Sequence, residues 1–465
     1  MILSHYDVII IGAGPAGIFT ALELSRHPDL KILLLDKGKK VSQRHCLIGN
    51  GFDTCQNCPI CSIMSGWGGA GAFSDGKLTL TSEFGGWLEG YIGKSRLEAL
   101  IEYVDGLYVH YGAPQRVFGQ DDHRTGEIAR NLAKAGLKLI PARIRHMGTE
   151  NTKQVLTAMY QYLESRVDIK TGMTIEQILT DAGRVIGVRS AAESYYAPFV
   201  VAAPGREGAQ WFSQQARDLN IAMYNNQVDI GVRVEVPAVA MQEVTASVWE
   251  PKILFNTRTF DDTVRTFCVN PNGHVVMENT NGIITVNGHS YANSQSDNTN
   301  FALLMSQEFT EPFDRPLLYG RCIASLANML SGNIIIQRYG DLKRGRRSTP
   351  QRLARGLVTP TLKGAVPGDL SLVLPHRYMI GIMECLEALE QVFPGVASDH
   401  TLLYGVEAKF YSARPQLNDE LQTPIEGLWA IGDGAGVTRG LIQASVSGVI
   451  AAQAILAQCK LDKPL

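Results

Sequence analysis

The sequence predicts an α/β protein in which a Rossmann-like dinucleotide-binding domain carries an inserted, β-rich α+β domain. Three observations lead to this class. Residues 6–38 have the order strand, glycine turn, helix, strand. Residues 199–205 and 428–441 each begin with a further apolar strand that ends in a glycine turn. Residues 211–374 consist largely of alternating β-rich runs separated by turn residues.

Composition describes an ordinary globular chain. Its 465 residues include 43 basic and 45 acidic ones, so we expect no nucleic-acid partner on electrostatic grounds. The N-terminal apolar run lacks a signal-peptide pattern and is broken by Gly12, Pro15 and Glu23, so we expect a cytoplasmic protein without a membrane partner. In that compartment, eight cysteines favour thiol, metal or redox chemistry over a disulfide framework.

The first glycine turn follows the apolar strand from Val8 to Ile11. Gly12, Gly14 and Gly17 fill the pattern G-x-G-x-x-G, in which the glycines allow a tight turn, close approach of a pyrophosphate and close helix packing. Asp36 ends the next strand, where an acid accepts hydrogen bonds from ribose hydroxyls. A glycine turn in a plain βαβ unit is the alternative. The predicted nucleotide contacts are Gly12, Gly14, Pro15, Ala16, Gly17, Asp36 and Lys37.

The later strand–glycine segments indicate which dinucleotide binds. Together with the first turn, they resemble the flavoproteins of glutathione reductase type, which carry two dinucleotide-binding domains. In that group a late Gly-Asp closes on the ribityl chain of FAD and the helix behind it faces the flavin pyrimidine. The resemblance implies FAD as cofactor and a three-segment FAD-binding domain. It places Gly205, Gly432, Asp433, Gly440 and Leu441 in the FAD site.

Five longer stretches carry a second resemblance: GGAGAFSDGKLTL, HMGTENTKQVL, TFCVNPNGHVV, LLYGVEAKF and GDGAGVTRGLIQASVSG. They are similar to a bacterial family of FAD-dependent, or NAD(FAD)-utilising, dehydrogenases that has no assigned substrate. The chain departs from the family at Asp433, where the family has Glu, and at residues 437–440. The resemblance implies the fold and the FAD site, and it leaves the substrate open.

The sequence predicts a division into three parts. The FAD-binding domain comprises residues 1–90, 140–210 and 375–465. Residues 91–139 form a helical insertion, because apolar positions recur there at three- and four-residue spacing. Residues 211–374 form the substrate domain.

A second glycine-rich segment, residues 66–76, lies about thirty residues beyond Asp36. Its glycines would let backbone N–H groups face a charged or planar ligand, and its Trp, Ala and Phe argue against a flexible linker. We therefore predict FAD contacts from Gly68, Gly69, Ala70, Gly71 and Ser74. Asp75 and Lys77 follow directly and are catalytic candidates. Their alternative is a capped turn with a surface ion pair.

Four cysteines precede this segment in the pattern C-x8-C-x2-C-x2-C. Three thiolates at two-residue spacing can converge on an iron–sulfur cluster, with the first cysteine as fourth ligand. Zinc, a thiol–disulfide pair and simple packing are the alternatives. The predicted ligands are Cys46, Cys55, Cys58 and Cys61.

Other charged residues are weaker candidates. His376 and Glu407 are catalytic candidates because they fall near the predicted return into the FAD-binding domain, as do Arg377, Lys409 and Arg414. For such residues a structural role is the alternative. The basic run at residues 343–347 suits a carboxylate or phosphate, or a solvated loop.

The leading functional hypothesis is an FAD-dependent oxidoreductase that moves hydride or electrons through flavin N5, to or from a small organic substrate. Only one strand–turn–helix unit carries the G-x-G-x-x-G pattern, so a second NAD(P)H-binding domain is not predicted. Electrons would then come from a substrate, a carrier protein or a transient NAD(P)H contact. The alternatives are a tRNA-modifying flavoprotein and a non-catalytic flavoprotein that acts as a binding module.

Overall fold

A computed structural model describes residues 4–47, 58–119, 123–140, 142–248, 250–280, 282–290, 295–307, 309, 313 and 315–461. The chain divides into two compact units. The first comprises residues 1–116, 145–226 and 412–465, and the second comprises residues 117–144 and 227–411.

Strands occur in both units. In chain order they are β1 Ser4–His5, β2 Val8–Ile11, β3 Ile32–Asp36, β4 Lys77–Thr79, β5 Leu137–Ile140, β6 Ile144–His146, β7 Asp168–Thr171, β8 Ile175–Asp181, β9 Arg184–Ser190, β10 Ser194–Tyr196, β11 Phe199–Ala202, β12 Met223–Tyr224, β13 Val228–Pro237, β14 Lys252–Asn256, β15 Thr263–Asn270, β16 His274–Thr280, β17 Ile283–His289, β18 Asn298–Gln307, β19 Ile335–Arg338, β20 Val366–Pro367, β21 Leu402–Phe410, β22 Arg414–Pro415 and β23 Leu428–Ala430.

The α-helices are likewise distributed over both units. In chain order they are α1 Pro15–Leu24, α2 Leu88–Ile92, α3 Lys94–His110, α4 His123–Lys134, α5 Thr149–Leu163, α6 Ala209–Asp218, α7 Ala238–Ser247, α8 Pro316–Ser331, α9 Tyr339–Lys343, α10 Pro350–Ala354, α11 His376–Glu390 and α12 Leu441–Leu461.

The first unit is built on a five-stranded parallel sheet in the order β23-β11-β2-β3-β7. All four residues of β2 and all five of β3 are buried, as expected for parallel strands covered on both faces. This explains why the sequence shows continuous apolar runs here rather than alternation. A four-stranded sheet, β1-β10-β9-β8, shares an apolar core with the parallel sheet through Ile9, Leu33, Val188 and Val200.

Helices α1 and α12 pack against each other in the first unit. The hydroxyl of Thr20 donates to the carbonyl oxygen of Ala16 and to that of Gly448, at 2.9 and 3.3 Å. Residues 441–459 of α12 are long and apolar enough to cross a membrane by length and composition, and 72% of the apolar window is buried inside the structure. Burial of this kind is typical of a central core helix, which passes the same test of length and composition.

The second unit is built on an eight-stranded sheet in the order β20-β19-β21-β13-β18-β15-β14-β5. On β13, Val228, Ile230 and Val232 belong to the apolar core of this unit. The alternate positions Asp229 and Arg233 are charged and fully buried. Because side chains alternate between the two faces of a strand, β13 presents one apolar and one charged face.

The two units do not follow the predicted domain ranges. Residues 375–411, assigned from sequence to the first domain, contain α11 and β21, and β21 pairs with β13 inside the eight-stranded sheet. Residues 91–139, assigned to one helical insertion, are shared: α3 belongs to the first unit, whereas α4 and β5 belong to the second. Long-range strand pairing decides these memberships, and local periodicity does not report it.

Candidate functional site

Gly12 and Gly17 let three elements meet at the carboxyl end of β2. Gly12 has φ = +104°, and a Cβ atom there would lie 2.0 Å from the carbonyl oxygen of Ala203, which follows β11. A Cβ atom on Gly17 would lie 1.9 Å from the carbonyl oxygen of Gly12. Any larger residue at either position would push β11 or α1 away from the turn. Packing therefore requires both glycines.

Asp36 ties the end of β3 to this turn. Its Oδ2 atom accepts a 2.7 Å hydrogen bond from the N–H of Ala13, and its Oδ1 atom accepts a 2.7 Å hydrogen bond from the N–H of Gly38. The side chain is buried, and each carboxylate oxygen retains a second acceptor position. Lys37, a predicted contact, lies 3.8 Å from a carboxylate oxygen of Glu207.

The N-terminus of α1 is suited to an anion. Gly14 precedes the helix in an extended conformation, Pro15 is its first residue, and no side chain caps it. The first N–H groups of a helix have no acceptor within the helix. Ala16 and Gly17 therefore present N–H groups together with the positive end of the helix dipole, the arrangement that receives phosphate groups at helix N-termini.

The second glycine-rich segment packs directly on this turn. The N–H of Gly68 donates a 2.7 Å hydrogen bond to the carbonyl oxygen of Ala13. A Cβ atom on Gly69 would lie 3.1 Å from the Cα atom of Gly14. The buried Trp67 anchors the segment, because its Nε1 atom donates to the carbonyl oxygen of Leu156 at 2.8 Å.

Arg44 anchors the second glycine-rich segment, a role that was not predicted from the sequence. Its guanidinium donates to four carbonyl oxygens, those of Ser62, Ile63, Trp67 and Gly69, at 2.7–2.8 Å. Burial lowers the pKa of Arg44 to about 10, and the side chain stays charged at neutral pH. An isolated arginine in a polar stretch gives no sequence signal of such a role, because its partners are backbone atoms of a distant loop.

The third glycine turn, after β23, packs against the turn that follows β11. A Cβ atom on Gly434 would lie 2.1 Å from the carbonyl oxygen of Gly205. Asp433 accepts a 2.8 Å hydrogen bond from the hydroxyl of Thr438. Burial raises the pKa of the Asp433 carboxyl, against the lowering effect of Arg206.

Gly440 precedes α12, and Leu441 is its first residue. A Cβ atom on Gly71 would lie 2.5 Å from Cδ2 of Leu441, so the second glycine segment also reaches the start of α12. Pro15, Gly68, Gly71 and Leu441 line one small cavity. The structure thus brings together three segments that are far apart in sequence. Ala70 and Ser74, which are also predicted FAD contacts, lie in the second glycine-rich segment.

Asp75 and Lys77 form an ion pair with 3.1 Å between Nζ and Oδ2. His146, which the sequence analysis missed, joins them: its Nε2 atom lies 4.0 Å from the same oxygen of Asp75. Burial lowers the pKa of His146 below its ordinary 6.5, Asp75 opposes this, and Lys77 adds to it. All three side chains are partly exposed, so the cluster is accessible to solvent. Its only sequence signal is the adjacency of Asp75 and Lys77.

The other two catalytic candidates lie in the second unit. Glu407 is fully buried, and both of its carboxylate oxygens accept 2.7 Å hydrogen bonds from Arg233. His376 begins α11, is exposed, and meets the ring of Phe260 edge-on. The doubly paired geometry favours a structural role for Glu407.

In the basic run at residues 343–347, Lys343 and Arg344 pair with Asp399, and Arg346 pairs with Asp341. These pairs favour the interpretation of the run as part of the folded surface. A ligand is not needed to explain its charges.

The predicted metal ligands are described only in part. Cys55 lies outside the described residues. Cys58 is exposed, whereas Cys46 and Cys61 are half-buried. Among the described residues, no group of three or more His, Cys, Asp or Glu side chains is arranged to hold a metal ion. The four-cysteine site stays a prediction.

Comparison with known proteins adds to this geometry. Residues 227–410 match a family model described as "FAD-dependent protein, C-terminal domain-like". A Clostridium beijerinckii protein described as "Uncharacterized protein" is 26% identical over 483 residues, which cover 98% of this chain and 81% of that relative.

Among solved structures, glycine oxidase from Geobacillus kaustophilus is similar, with a TM-score of 0.40, 11% identity and coverage of 98% of this chain and 95% of that chain. A 3-ketosteroid-Δ4-(5α)-dehydrogenase from Rhodococcus jostii RHA1 gives a TM-score of 0.44, 14% identity and coverage of 97% of each chain. At these values the likeness assigns neither substrate nor reaction. The matched family model and the glycine-turn geometry together support an FAD-dependent protein of mixed α/β fold.

Proposed function

We propose that this protein is an FAD-dependent oxidoreductase that acts on a small organic substrate. One observation carries the proposal: the three glycine turns after β2, β11 and β23, with Asp36 beside them, lie at the carboxyl edge of one parallel sheet. Ligands of open α/β sheets bind at that edge. The match of residues 227–410 to an FAD-dependent family supports the choice of FAD.

The residues present fit the cofactor. The uncapped N-terminus of α1 would receive the pyrophosphate, and Asp36 would accept hydrogen bonds from the adenosine ribose. Asp433 would lie near the ribityl chain, and the start of α12 near the flavin pyrimidine. We propose that the cofactor is bound in the three-segment arrangement of glutathione reductase type. When bound, FAD supplies hydride or single-electron transfer at its N5 atom.

The cluster of Asp75, Lys77 and His146 would move protons for the reaction. With its lowered pKa, His146 is neutral at pH 7 and can accept a proton through an imidazole nitrogen. Asp75, 4.0 Å from that ring, would stabilise the cation that results, and Lys77 pairs with the same carboxylate oxygen. Glu407 and His376, in the second unit, are not assigned a proton-transfer role.

We infer that electrons reach the flavin from a substrate or an electron-carrier protein, because the sequence carries a single strand–turn–helix unit of the G-x-G-x-x-G type. The thiolates of Cys46, Cys55, Cys58 and Cys61 would assist electron transfer if they hold an iron–sulfur cluster. Zinc at the same ligands would have a structural role, because Zn²⁺ has no redox chemistry. A cytoplasmic location fits the burial of α12.

The test is to purify the full chain under argon and to record its absorption spectrum, iron, zinc and acid-labile sulfide. Flavin released by denaturation is then identified by mass spectrometry. We expect FAD, bound non-covalently, which is bleached by at least one small-molecule donor and reoxidised by an acceptor. A protein that binds no flavin when supplied with FAD overturns the proposal. If FAD is bound but no donor reduces it and no acceptor oxidises it, the result favours a non-catalytic binding module. If the bound FAD is reduced only when RNA is present, the result favours a tRNA-modifying enzyme.

A further inference from the structure

A cavity of about 480 Å³ opens in the first unit. Small-molecule sites typically have volumes of about 300–1,000 Å³. The cavity is lined by Gly86, Trp87, Glu89, Gly90, Tyr91 and Arg414. An arginine, a glutamate and two aromatic rings form a lining with defined chemistry, and none of the assignments above uses it.

Arg414 supplies an unbalanced positive charge. Its guanidinium carbon lies 4.9 Å from the centre of the Trp87 ring, and that of Arg439 lies 4.8 Å from the same centre. The Nε atom of Arg414 is buried without a hydrogen-bond partner, and no carboxylate of the described residues lies within 4.0 Å of this side chain. A buried, unpaired donor on a cation is costly, so the geometry favours an anionic ligand.

Tyr91 adds a neutral donor beside this charge. Burial raises the pKa of its phenol, and the neighbouring Arg414 opposes the rise. The phenol therefore keeps its proton at neutral pH and can donate it in a hydrogen bond. Glu89 is exposed and also lines the cavity, so a multiply charged anion would meet repulsion there. A single carboxylate at Arg414 with an uncharged or cationic remainder fits this lining best.

The wall of the cavity is continuous with the third glycine turn. The N–H of Trp87 donates to the carbonyl oxygen of Val437 at 3.0 Å, and the N–H of Arg439 donates to that of Gly85 at 2.7 Å. Between them, Thr438 donates to Asp433. A ligand in this cavity would therefore lie next to the segment that the proposed function assigns to the flavin.

We propose that this cavity binds the carboxylate of the substrate, with Arg414 as the specificity-determining residue, so that the substrate is a small monocarboxylic acid. That the bound acid is a substrate rests on the proposed function, whereas the binding of a carboxylate at Arg414 does not. Arg414 is a binding residue here, and no bond is made or broken by it.

The test uses benzoate as probe, with benzamide as its uncharged counterpart and phenylphosphonate as a more highly charged one. Binding to the full chain is measured by calorimetry and, separately, by the change in the flavin absorption spectrum. We expect benzoate to bind at least about tenfold more tightly than the other two, and more weakly as salt is raised. Arg414→Gln should weaken benzoate binding about tenfold or more, and Arg414→Lys should restore part of it.

Arg96→Gln is the matched control, because Arg96 is an exposed arginine of α3 in the same unit. It should bind benzoate as the unaltered chain does. Equal binding of benzoate and benzamide by the unaltered chain overturns the inference even if Arg414→Gln fails to fold. Unchanged benzoate binding in folded Arg414→Gln also overturns the inference.

FAD content is measured in the same samples, so that failure of this inference can be told apart from failure of the proposed function. Protein that holds FAD but does not prefer benzoate contradicts only this inference, whereas protein that prefers benzoate but cannot hold FAD contradicts only the proposed function.

Discussion

Asp36 accepts a 2.7 Å hydrogen bond from the backbone N–H of Ala13, so the acid at the end of β3 holds the glycine turn at the end of β2. A second backbone donor, Gly38, occupies its other oxygen. The same carboxylate that would meet the ribose therefore also shapes the turn that would meet the pyrophosphate. Cofactor binding and turn geometry are coupled through one side chain.

This coupling predicts that Asp36→Ala loses FAD before it loses its fold. The variant forfeits two hydrogen bonds to a charged acceptor, each worth about 1.5–3 kcal/mol, and any bond to the ribose. We expect FAD affinity to fall at least about tenfold, measured by flavin retained after gel filtration. Asp29→Ala removes an exposed acid and should retain flavin fully. Asp36→Ala protein that remains fully loaded with FAD would show that the ribose lies elsewhere.

Arg44→Met should loosen the second glycine-rich segment. The substitution leaves four carbonyl oxygens without their donor, and an unsatisfied buried acceptor costs about 1–3 kcal/mol. We expect the free energy of unfolding to fall by about 3 kcal/mol or more, and amide exchange at residues 62–69 to accelerate. Arg96→Met on α3 is the control and should change neither. Unaltered exchange in Arg44→Met would mean that other contacts hold the segment.

Gly12→Ala should disrupt the first unit. A methyl group at this position would lie 2.0 Å from the carbonyl oxygen of Ala203, in a backbone conformation with φ = +104° that alanine rarely adopts. We expect loss of several kcal/mol of stability, measured by chemical denaturation. Gly106→Ala is the matched control: Gly106 lies inside α3 with open space around it, so alanine should stabilise the chain by up to about 1 kcal/mol. Similar stabilities for the two variants would contradict the packing described for Gly12.

His146 should make stability depend on pH on the acid side. Burial holds its pKa below 6.5 in the folded chain, whereas the unfolded chain titrates near that ordinary value. Between the folded-state pKa and about pH 6.5, the unfolded state therefore binds more protons than the folded state. The contribution of His146 to stability is complete above about pH 6.5 and declines as the pH falls through this range. His146→Gln should flatten that part of a plot of unfolding free energy against pH. The exposed His110→Gln should leave it unchanged, and identical profiles for both would refute the assignment.

Glu407→Gln tests whether this residue is structural. The burial of Glu407 opposes ionisation, but the charges of Arg233 and Lys409 keep its pKa below the usual range. Removing the charge leaves Arg233 buried and uncompensated, which costs about 3–5 kcal/mol. The double variant Arg233→Met/Glu407→Leu should recover most of this loss. If Glu407→Gln instead unfolds like the unaltered chain and only turnover is lost, Glu407 belongs to the catalytic machinery.

The sequence alone determined the first strand–turn–helix–strand unit. Its signals are local: Gly12 and Gly17 stand at fixed spacing between two buried strands, and Asp36 ends the second one. Such a unit is specified by a few dozen consecutive residues, so pattern and spacing suffice. The order of the later glycine turns, at Gly205 and Gly432, also emerged from the sequence, because each follows an apolar strand.

Only the tertiary structure decided which distant residues join these turns. Arg44 binds carbonyl oxygens, which every residue carries, so no sequence pattern marks its partners. His146 meets Asp75 through chain folding alone, and Arg414 meets Trp87 in the same way, across more than three hundred residues. The placement of β21 in the second unit depends on its pairing with β13. Contacts of this kind form because the whole chain closes on its cores, and local periodicity carries no record of them.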